Sequence, residues 1–305
     1  MSVFLLKRMG LAIVVALVVS LFSFFMLRAA GDPAIAMAGE GATAADIEFI
    51  RQRFGFDRPV AEQYLSWLGG ALSGDFGESS YFAKPVSLLI SERLPVTLGL
   101  GLAALVFSIL LAVPLGMLAA VYPNSIIDRF ALTLSVLGQA MPNFWFALML
   151  IVVLAVWYPL LPASGNAEWR NFIMPTIVLG YYATPAIMRL TRSGMLEVLG
   201  ADYIRTAHAK GIPARNILFK HAMRNAILPV VSIASVQFGY MLGGSIIIES
   251  IFALHGIGQL AWESISRADL PTVQAIVLVL SLIYVGLNLA ADLINAWLDP
   301  RIRIA

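Results

Sequence analysis

The amino-acid sequence predicts an all-α, polytopic membrane protein with six transmembrane helices and a small extracytoplasmic helical segment. Of its 305 residues, 60% are hydrophobic and only 12% are charged, whereas soluble domains carry about 25% charged residues. The apolar residues fall in runs long enough to cross a hydrocarbon core of about 30 Å. The basic residues cluster in the connections between these runs, as expected for a membrane protein.

The first apolar run, 9–27, follows Lys7 and Arg8. The competing interpretation is a cleaved signal peptide, whose apolar region is about 7–15 residues long. The greater length of this run favours an uncleaved span that begins in the cytoplasm.

A mixed-charge segment, 28–93, follows the first span and is predicted to lie outside the membrane. It contains turn signals at 55–59 and 74–77. Ile47, Ile50 and Phe54 share one helical face, and 64, 65 and 68 share another, so short helices are expected to pack on each other and on the outer ends of the spans. We therefore divide the chain into 1–94, the first helix with this segment, and 95–305, a five-helix membrane domain.

Five further spans are predicted at 95–121, 130–160, 172–190, 226–248 and 272–297. The run 130–160 is too long for one straight span. Gln139, Pro142 and Asn143 interrupt it, since a proline kinks a helix and frees a carbonyl for polar neighbours. These residues either hold a local kink or contribute to a polar pathway.

The fifth span carries a stripe of small residues, Ser235, Gly239 and Gly243, at four-residue spacing. Such a stripe lets another helix approach closely, within the same subunit or from a partner. Gln237 lies on a different face and needs a polar partner or water.

Asp292 is the charged residue within the sixth span, on one face with Asn288 and Asn295. A buried acid in a membrane is costly and is usually paired or in a wet cavity. Both a structural bond near the inner end of the span and a transport role remain open.

The longest polar interruption between the later spans is 199–229. Its spacing predicts two short helices joined by a turn at Gly211, Ile212 and Pro213. The segment contains one acidic residue, Asp202, and a larger number of basic residues. By the positive-inside rule this excess of positive charge places the segment in the cytoplasm. These bases are Arg205, Lys210, Arg215, Lys220 and Arg224. A basic loop that only fixes topology is the alternative to a functional role.

The charge distribution agrees with six spans and two cytoplasmic termini. Only Arg170 and Arg267 lie in short outer loops. Long outer segments such as 28–93 are translocated across the membrane largely regardless of their charge. The inner bases outside 199–229 are Lys7, Arg8, Arg129, Arg189, Arg192, Arg301 and Arg303. The basic residues thus follow membrane orientation, and no nucleic-acid partner is predicted.

The sequence lacks the usual catalytic and metal-binding patterns. It has no cysteine, and its three histidines do not share one loop, since His208 and His221 lie in 199–229 and His255 lies beyond the fifth span, on the opposite side, so no metal site is predicted. No P-loop, zinc-protease or nucleophile-elbow motif occurs. An intramembrane enzyme and an ion-coupled secondary transporter are therefore the weaker alternatives, and no catalytic residue is assigned.

Motifs in 199–229 resemble the EAA loop of ABC-importer permeases, specifically those of the dipeptide/oligopeptide/nickel family. Tyr203 stands where the motif's name implies alanine, as in the peptide branch. The matching residues are Asp202 to Ala207, Lys210, Gly211, His221, Arg224 to Ala226, Leu228 and Pro229. Further matches follow in chain order at 31–33, 58–59, 63–64, 74–77, 249–252, 256–258, 269–274 and 298–303.

The resemblance implies a type I importer transmembrane domain in a bacterial or archaeal cytoplasmic (inner) membrane. The implied partners are a homologous second permease, two cytoplasmic ABC ATPase subunits that bind ATP and Mg, an extracytoplasmic solute-binding protein and membrane lipid. The chain itself would bind no cofactor and would be no enzyme. Its loop would form a coupling helix against an ATPase through Asp202, Tyr203, Arg205, Thr206, Ala207, Lys210, Gly211, His221 and Arg224.

The family transports peptides, nickel chelates, glutathione and, in some members, oligosaccharides. Free metal would need clustered ligands along the spans, and none is visible. A peptide is a bulky zwitterion that needs a wide path with weak polar contacts, which Gln139, Asn143 and Gln237 would suit. We expect di- or oligopeptides, with selectivity residing mainly in the binding protein.

Overall fold

Helices dominate the computed structural model, which describes residues 2–29, 31–39 and 41–298. These residues form no named strand, only an isolated bridge between Glu78 and Pro85. The predicted all-α class is therefore correct. The helices are α1 Ser2–Ala29, α2 Pro33–Ala38, α3 Ala44–Arg53, α4 Val60–Leu72, α5 Val86–Val121, α6 Ile126–Ala140, α7 Asn143–Ile151, α8 Ile173–Leu199, α9 Asp202–Ala209, α10 Ala214–Asn216, α11 Met223–Ala226, α12 Leu228–Ile251, α13 Ile257–Ser266 and α14 Leu270–Leu298. The predicted cytoplasmic tail, 299–305, lies outside the described residues.

The chain divides into two compact units, and α5 and α14 each contribute to both. The smaller unit comprises Ser2–Thr97 and His255–Gly286; the larger comprises Leu98–Leu254 and the chain from Leu287 onward.

In the smaller unit, α4 packs on α1 through aromatic rings. The buried Phe24 ring lies 5.3 Å from Tyr64 and 5.8 Å from Trp67, centroid to centroid. The hydroxyls of Ser20 and Tyr64 are 2.8 Å apart. Leu65, which the sequence placed on the packing face, is 65% exposed, whereas Trp67 contacts Phe24.

A buried carboxylate fixes the start of α14 in the same unit. Asp269 accepts hydrogen bonds from Ser79 Oγ at 2.6 Å and from the Ser80 amide at 3.0 Å. These charge-assisted bonds replace the water lost on burial. They hold the loop before α5 against the loop before α14.

Helix α8 is the centre of the larger unit, where it packs on α6, α7, α11 and α12. It crosses α5 at two glycines. A Cβ on Gly180 would lie 2.5 Å from the Ala104 carbonyl oxygen, and one on Gly116 would lie 2.6 Å from the Met188 carbonyl oxygen. The missing side chains let the two backbones meet.

The apolar run 130–160 is bent, as predicted. Helices α6 and α7 meet at 99° across a short break at Met141 and Pro142. Proline cannot continue the hydrogen-bond ladder of α6, and α7 restarts at Asn143. Beyond α7 the chain continues as a π-helix, Val152–Trp157.

Four described helices are long and apolar enough to cross a membrane: α1, α5, α12 and α14. The bent pair α6 and α7 makes a fifth when counted as one span. Helix α8 is long enough but includes polar side chains such as Thr184, Arg189 and Arg192. Six spans are compatible with this arrangement, and the exact number stays a prediction.

Candidate functional site

The connection between α8 and α12, residues 200–227, contains the two predicted helical stretches. The first is α9. The second begins with α10, continues as a π-helix, Ile217–Ala222, and ends with α11. The turn between the stretches lies at the predicted position, 210–213.

Gly211 ends α9 in a geometry that favours glycine. Its φ is +70°. Its amide donates to the His208 carbonyl at 2.9 Å, and the Ile212 amide donates to the Ala207 carbonyl at 3.2 Å. This pair of bonds is the Schellman motif, which satisfies carbonyls at a helix end. A side chain at position 211 would therefore be strained, although a Cβ there would meet nothing within 4 Å.

An apolar cluster fixes α9 on the end of α8. Ile204 and Ala207 are buried on one face of α9, whereas His208 and Gly211 are exposed. The cluster joins side chains from α5, α8, α9, the π-helix and α11, so α9 and α8 are connected by direct packing. Its buried members are Ala120, Met195, Ile204, Ala207, Ile217, Ala222 and Ala226.

The opposite face of the connection is exposed and basic. Asp202 and Arg205 approach to 3.3 Å, but both side chains are highly exposed, so the pair contributes little to stability. In the described part of the chain the other bases of this connection form no salt bridge, so the exposed surface is positively charged. The exposed predicted site residues are Asp202, Tyr203, Arg205, Thr206, Lys210, Gly211 and Arg224, and His221 is half-buried.

Tyr203, the residue that departs from the motif's name, has a specific partner. The Asn225 side-chain amide donates to its hydroxyl at 2.8 Å. The bond ties α9 to α11 across the turn. The sequence motif contained both residues but gave no sign that they pair.

A salt bridge between α6 and α8 supports the same region. Arg192 donates from Nε to one carboxylate oxygen of Asp128 at 2.7 Å and from Nη2 to the other at 2.8 Å. Asp128 is only 3% exposed and also accepts from the Asn124 amide at 2.9 Å. Bidentate pairing restricts orientation as well as distance, so α6 is held to α8 close to the connection. The sequence analysis assigned Arg192 to the cytoplasmic side from its charge but did not identify Asp128 as a residue of this region.

Four of the predicted pathway or helix-interface residues lie together in the larger unit. Asn143, Gln237, Gly239 and Gly243 line a cavity of about 320 Å³, and Tyr182 also lines it. Gln237 is 8% exposed, and it lines this cavity together with Asn143. A Cβ on Gly243 would meet nothing within 4 Å, so no described helix of this chain packs against it.

The remaining pathway candidates lie elsewhere. Gln139 accepts a hydrogen bond from Arg189 at 3.2 Å, and Ser235 donates to the Ser232 carbonyl at 2.8 Å. Asp292 is engaged by another group of the chain and does not line this cavity. Among the described residues, no group of three or more potential metal ligands assembles.

Comparison with known families identifies the chain. Residues 112–304 match the binding-protein-dependent transport system inner membrane component family, and 1–101 match the N-terminal region of such membrane components. The chain belongs to this family. It is a multi-pass inner-membrane permease subunit of an ABC importer and not itself an enzyme.

Relatives that align over nearly the whole of both chains support this family assignment. A Brucella abortus (strain 2308) protein provisionally named a peptide transport system permease protein is 37% identical over 312 residues, covering 99% of each chain. The glutathione transport system permease protein GsiC of Escherichia coli (strain K12) is 36% identical over 301 residues, covering 98% of each.

The fold also matches a solved transporter. The inward-facing MetNI methionine ABC transporter superposes with a TM-score of 0.57 at 18% identity, covering 70% of this chain and 97% of that one. At this identity the match concerns the fold alone, and it agrees with the predicted transmembrane domain.

Proposed function

We propose that this permease forms, with a second homologous permease, the path by which di- or oligopeptides cross the inner membrane. The relatives named for peptide and glutathione transport align over nearly the entire chain, and glutathione is itself a tripeptide. Two cytoplasmic ATPase subunits supply the energy by hydrolysing ATP with Mg. A solute-binding protein delivers the peptide from outside.

The observation that carries the coupling role is the two-faced connection between α8 and α12. Its apolar face is anchored by Ile204 and Ala207. Its other face carries Asp202, Tyr203 and the basic residues. We assign this exposed face to a groove on an ATPase subunit, and the anchored face to the transfer of motion into α8.

The cavity lined by Asn143 and Gln237 is proposed as part of the path. Amides donate and accept hydrogen bonds without net charge, which suits the backbone of a peptide whose side chains vary. Gly239 and Gly243 leave room beside them. Weak contacts favour release, and selectivity then rests with the binding protein.

The proposed topology puts both termini and the α8–α12 connection in the cytoplasm and 28–93 outside. On this basis 1–94 forms the first membrane helix with an outer segment, and 95–305 forms the five-helix transmembrane domain of the importer. The basic residues of the connection support this orientation.

The test is uptake by proteoliposomes that contain the complete complex. We expect ATP-dependent and binding-protein-dependent uptake of labelled di- to pentapeptides. Chelated nickel and a short oligosaccharide are the competing solutes. Uptake of only the nickel chelate or the oligosaccharide contradicts the peptide assignment. As a control, the purified permease alone should hydrolyse no ATP.

A further inference from the structure

The smaller unit contains a second cavity, of about 410 Å³, outside the proposed path. Residues from α1, α4, the loops that follow α3 and α4, and the start of α14 line it. Phe54, Phe56, Trp67 and Phe76 contribute aromatic surface. The volume lies in the range of about 300–1,000 Å³ that is typical of small-molecule sites.

Charges of both signs line the same cavity. Arg53 and Arg58 contribute guanidinium groups, and Glu62 and Glu78 contribute carboxylates. Within residues 2–29, 31–39 and 41–298, none of these four side chains forms a salt bridge. Arg28, which also lines the cavity, already interacts with other side chains, because it donates a hydrogen bond to Gln63 and lies 3.8 Å from the Phe24 ring centroid. Arg53 also lies over an aromatic ring, but more distantly, 5.8 Å from the Phe54 ring centroid. These four charged groups can pair with both ends of a zwitterion.

Gln274 provides an independent sign of a ligand. It lines the cavity and is only 5% exposed. Its Nε2 has no hydrogen-bond partner in the described part of the chain. A buried amide without a partner is costly. A ligand carbonyl in the cavity would supply the missing acceptor.

We infer that this cavity binds a short zwitterionic peptide. The peptide's carboxylate pairs with the arginines, its ammonium group with the glutamates, and a backbone carbonyl with Gln274, while a side chain packs on the aromatic wall. This inference rests on the proposed peptide transport and on the outer location of 28–93. The site would hold peptide on the outer side before it enters the path.

The absence of native cysteine allows a direct test by thiol protection. Ser66→Cys places a thiol in the cavity wall, at an exposed position of α4. Leu72→Cys is the matched control, because Leu72 lies on the same helix, is 82% exposed and does not line the cavity. In the assembled complex, a dipeptide or tripeptide should slow maleimide labelling of Ser66→Cys and leave Leu72→Cys unchanged. The same peptide with both termini blocked should not protect.

Two second-site variants test the assigned contacts. In the Ser66→Cys background, Gln274→Leu removes the amide, and we expect at least about a tenfold rise in the peptide concentration for half-protection. Glu62→Gln should raise it as well, and as an exposed substitution it keeps the test valid if Gln274→Leu fails to assemble. Protection that is unaffected by both variants, or that is equal for blocked peptides, contradicts the inference.

Uptake measured in parallel separates this inference from the proposed function. If the complex imports peptides but they give no protection, the cavity assignment alone fails. If peptides protect but only another solute is imported, the cavity assignment stands and the transport assignment fails. Protection by the solute-binding protein without peptide assigns the cavity to protein docking and overturns the inference.

Discussion

At the scale of single residues, Gly211 gives the sharpest test of the coupling role. Proline at this position lacks the N–H that bonds the His208 carbonyl and cannot adopt the φ of +70°. We expect Gly211→Pro to insert and assemble but to lose substrate-stimulated ATP hydrolysis and uptake. Both are measured on the reconstituted complex.

Asparagine is the matched control for this position. It visits the left-handed region more readily than other side chains, for which that conformation costs about 1–2 kcal/mol. A Cβ on Gly211 would meet nothing within 4 Å, so sterically Gly211→Asn should be accepted and most coupling retained. Normal uptake by Gly211→Pro would argue against a coupling role for the turn.

Single residues also show which features of this site the sequence could predict and which it could not. The break in periodicity and the Gly-Ile-Pro triplet predicted the turn, because these are local signals. The pairings of Asp128 with Arg192 and of Tyr203 with Asn225 join positions 64 and 22 residues apart. Only the tertiary fold brings those groups together, so no local pattern could predict them.

At the scale of helices, the close crossing of α5 and α8 is the feature that the apolar pattern did not predict. Hydropathy finds a span but does not say which face meets which neighbour. Small residues allow close helix packing in membranes, and here Gly116 and Gly180 occupy the contacts. The predicted stripe on α12 instead leaves Gly243 without a neighbouring helix of the described chain.

Alanine substitutions test this crossing. Gly116→Ala would place a methyl group 2.6 Å from a backbone oxygen of Met188, so the helices must separate. We expect a loss of about 1–3 kcal/mol, measured as lower thermal stability of the purified protein in detergent. Gly99→Ala, on the same helix with nothing within 4 Å, should be neutral or stabilising. Equal stability of the two variants would contradict the assigned packing.

Helix boundaries were predicted less well than helix existence. Helix α5 begins at Val86 and runs through Pro95, although proline suggested a start at 95. Burial of Val86, Leu89 and Ile90 extends the helix backwards, because packing outweighs local propensity. The bend between α6 and α7, in contrast, was predictable from Pro142, which acts locally.

At the scale of the whole molecule, the proposed coupling role and the proposed peptide cavity depend on the same membrane topology. The coupling role requires the α8–α12 connection in the cytoplasm. The cavity role requires 28–93 on the opposite side. Both locations are predictions from the basic residues at the ends of the spans, and a single labelling experiment tests them together.

Single cysteines report the side of each connection without background, since the native chain has none. We expect an impermeant maleimide to label Glu48→Cys and Asn166→Cys in intact spheroplasts, and Asn216→Cys only after the membrane is opened. Asn166 is preferred to its neighbour Gly165, whose φ of +98° disfavours a side chain. A cysteine at Ala305, beyond the described residues, should behave like Asn216→Cys. Labelling of Asn216→Cys from outside would place the basic connection on the wrong side for an ATPase and would remove the coupling proposal.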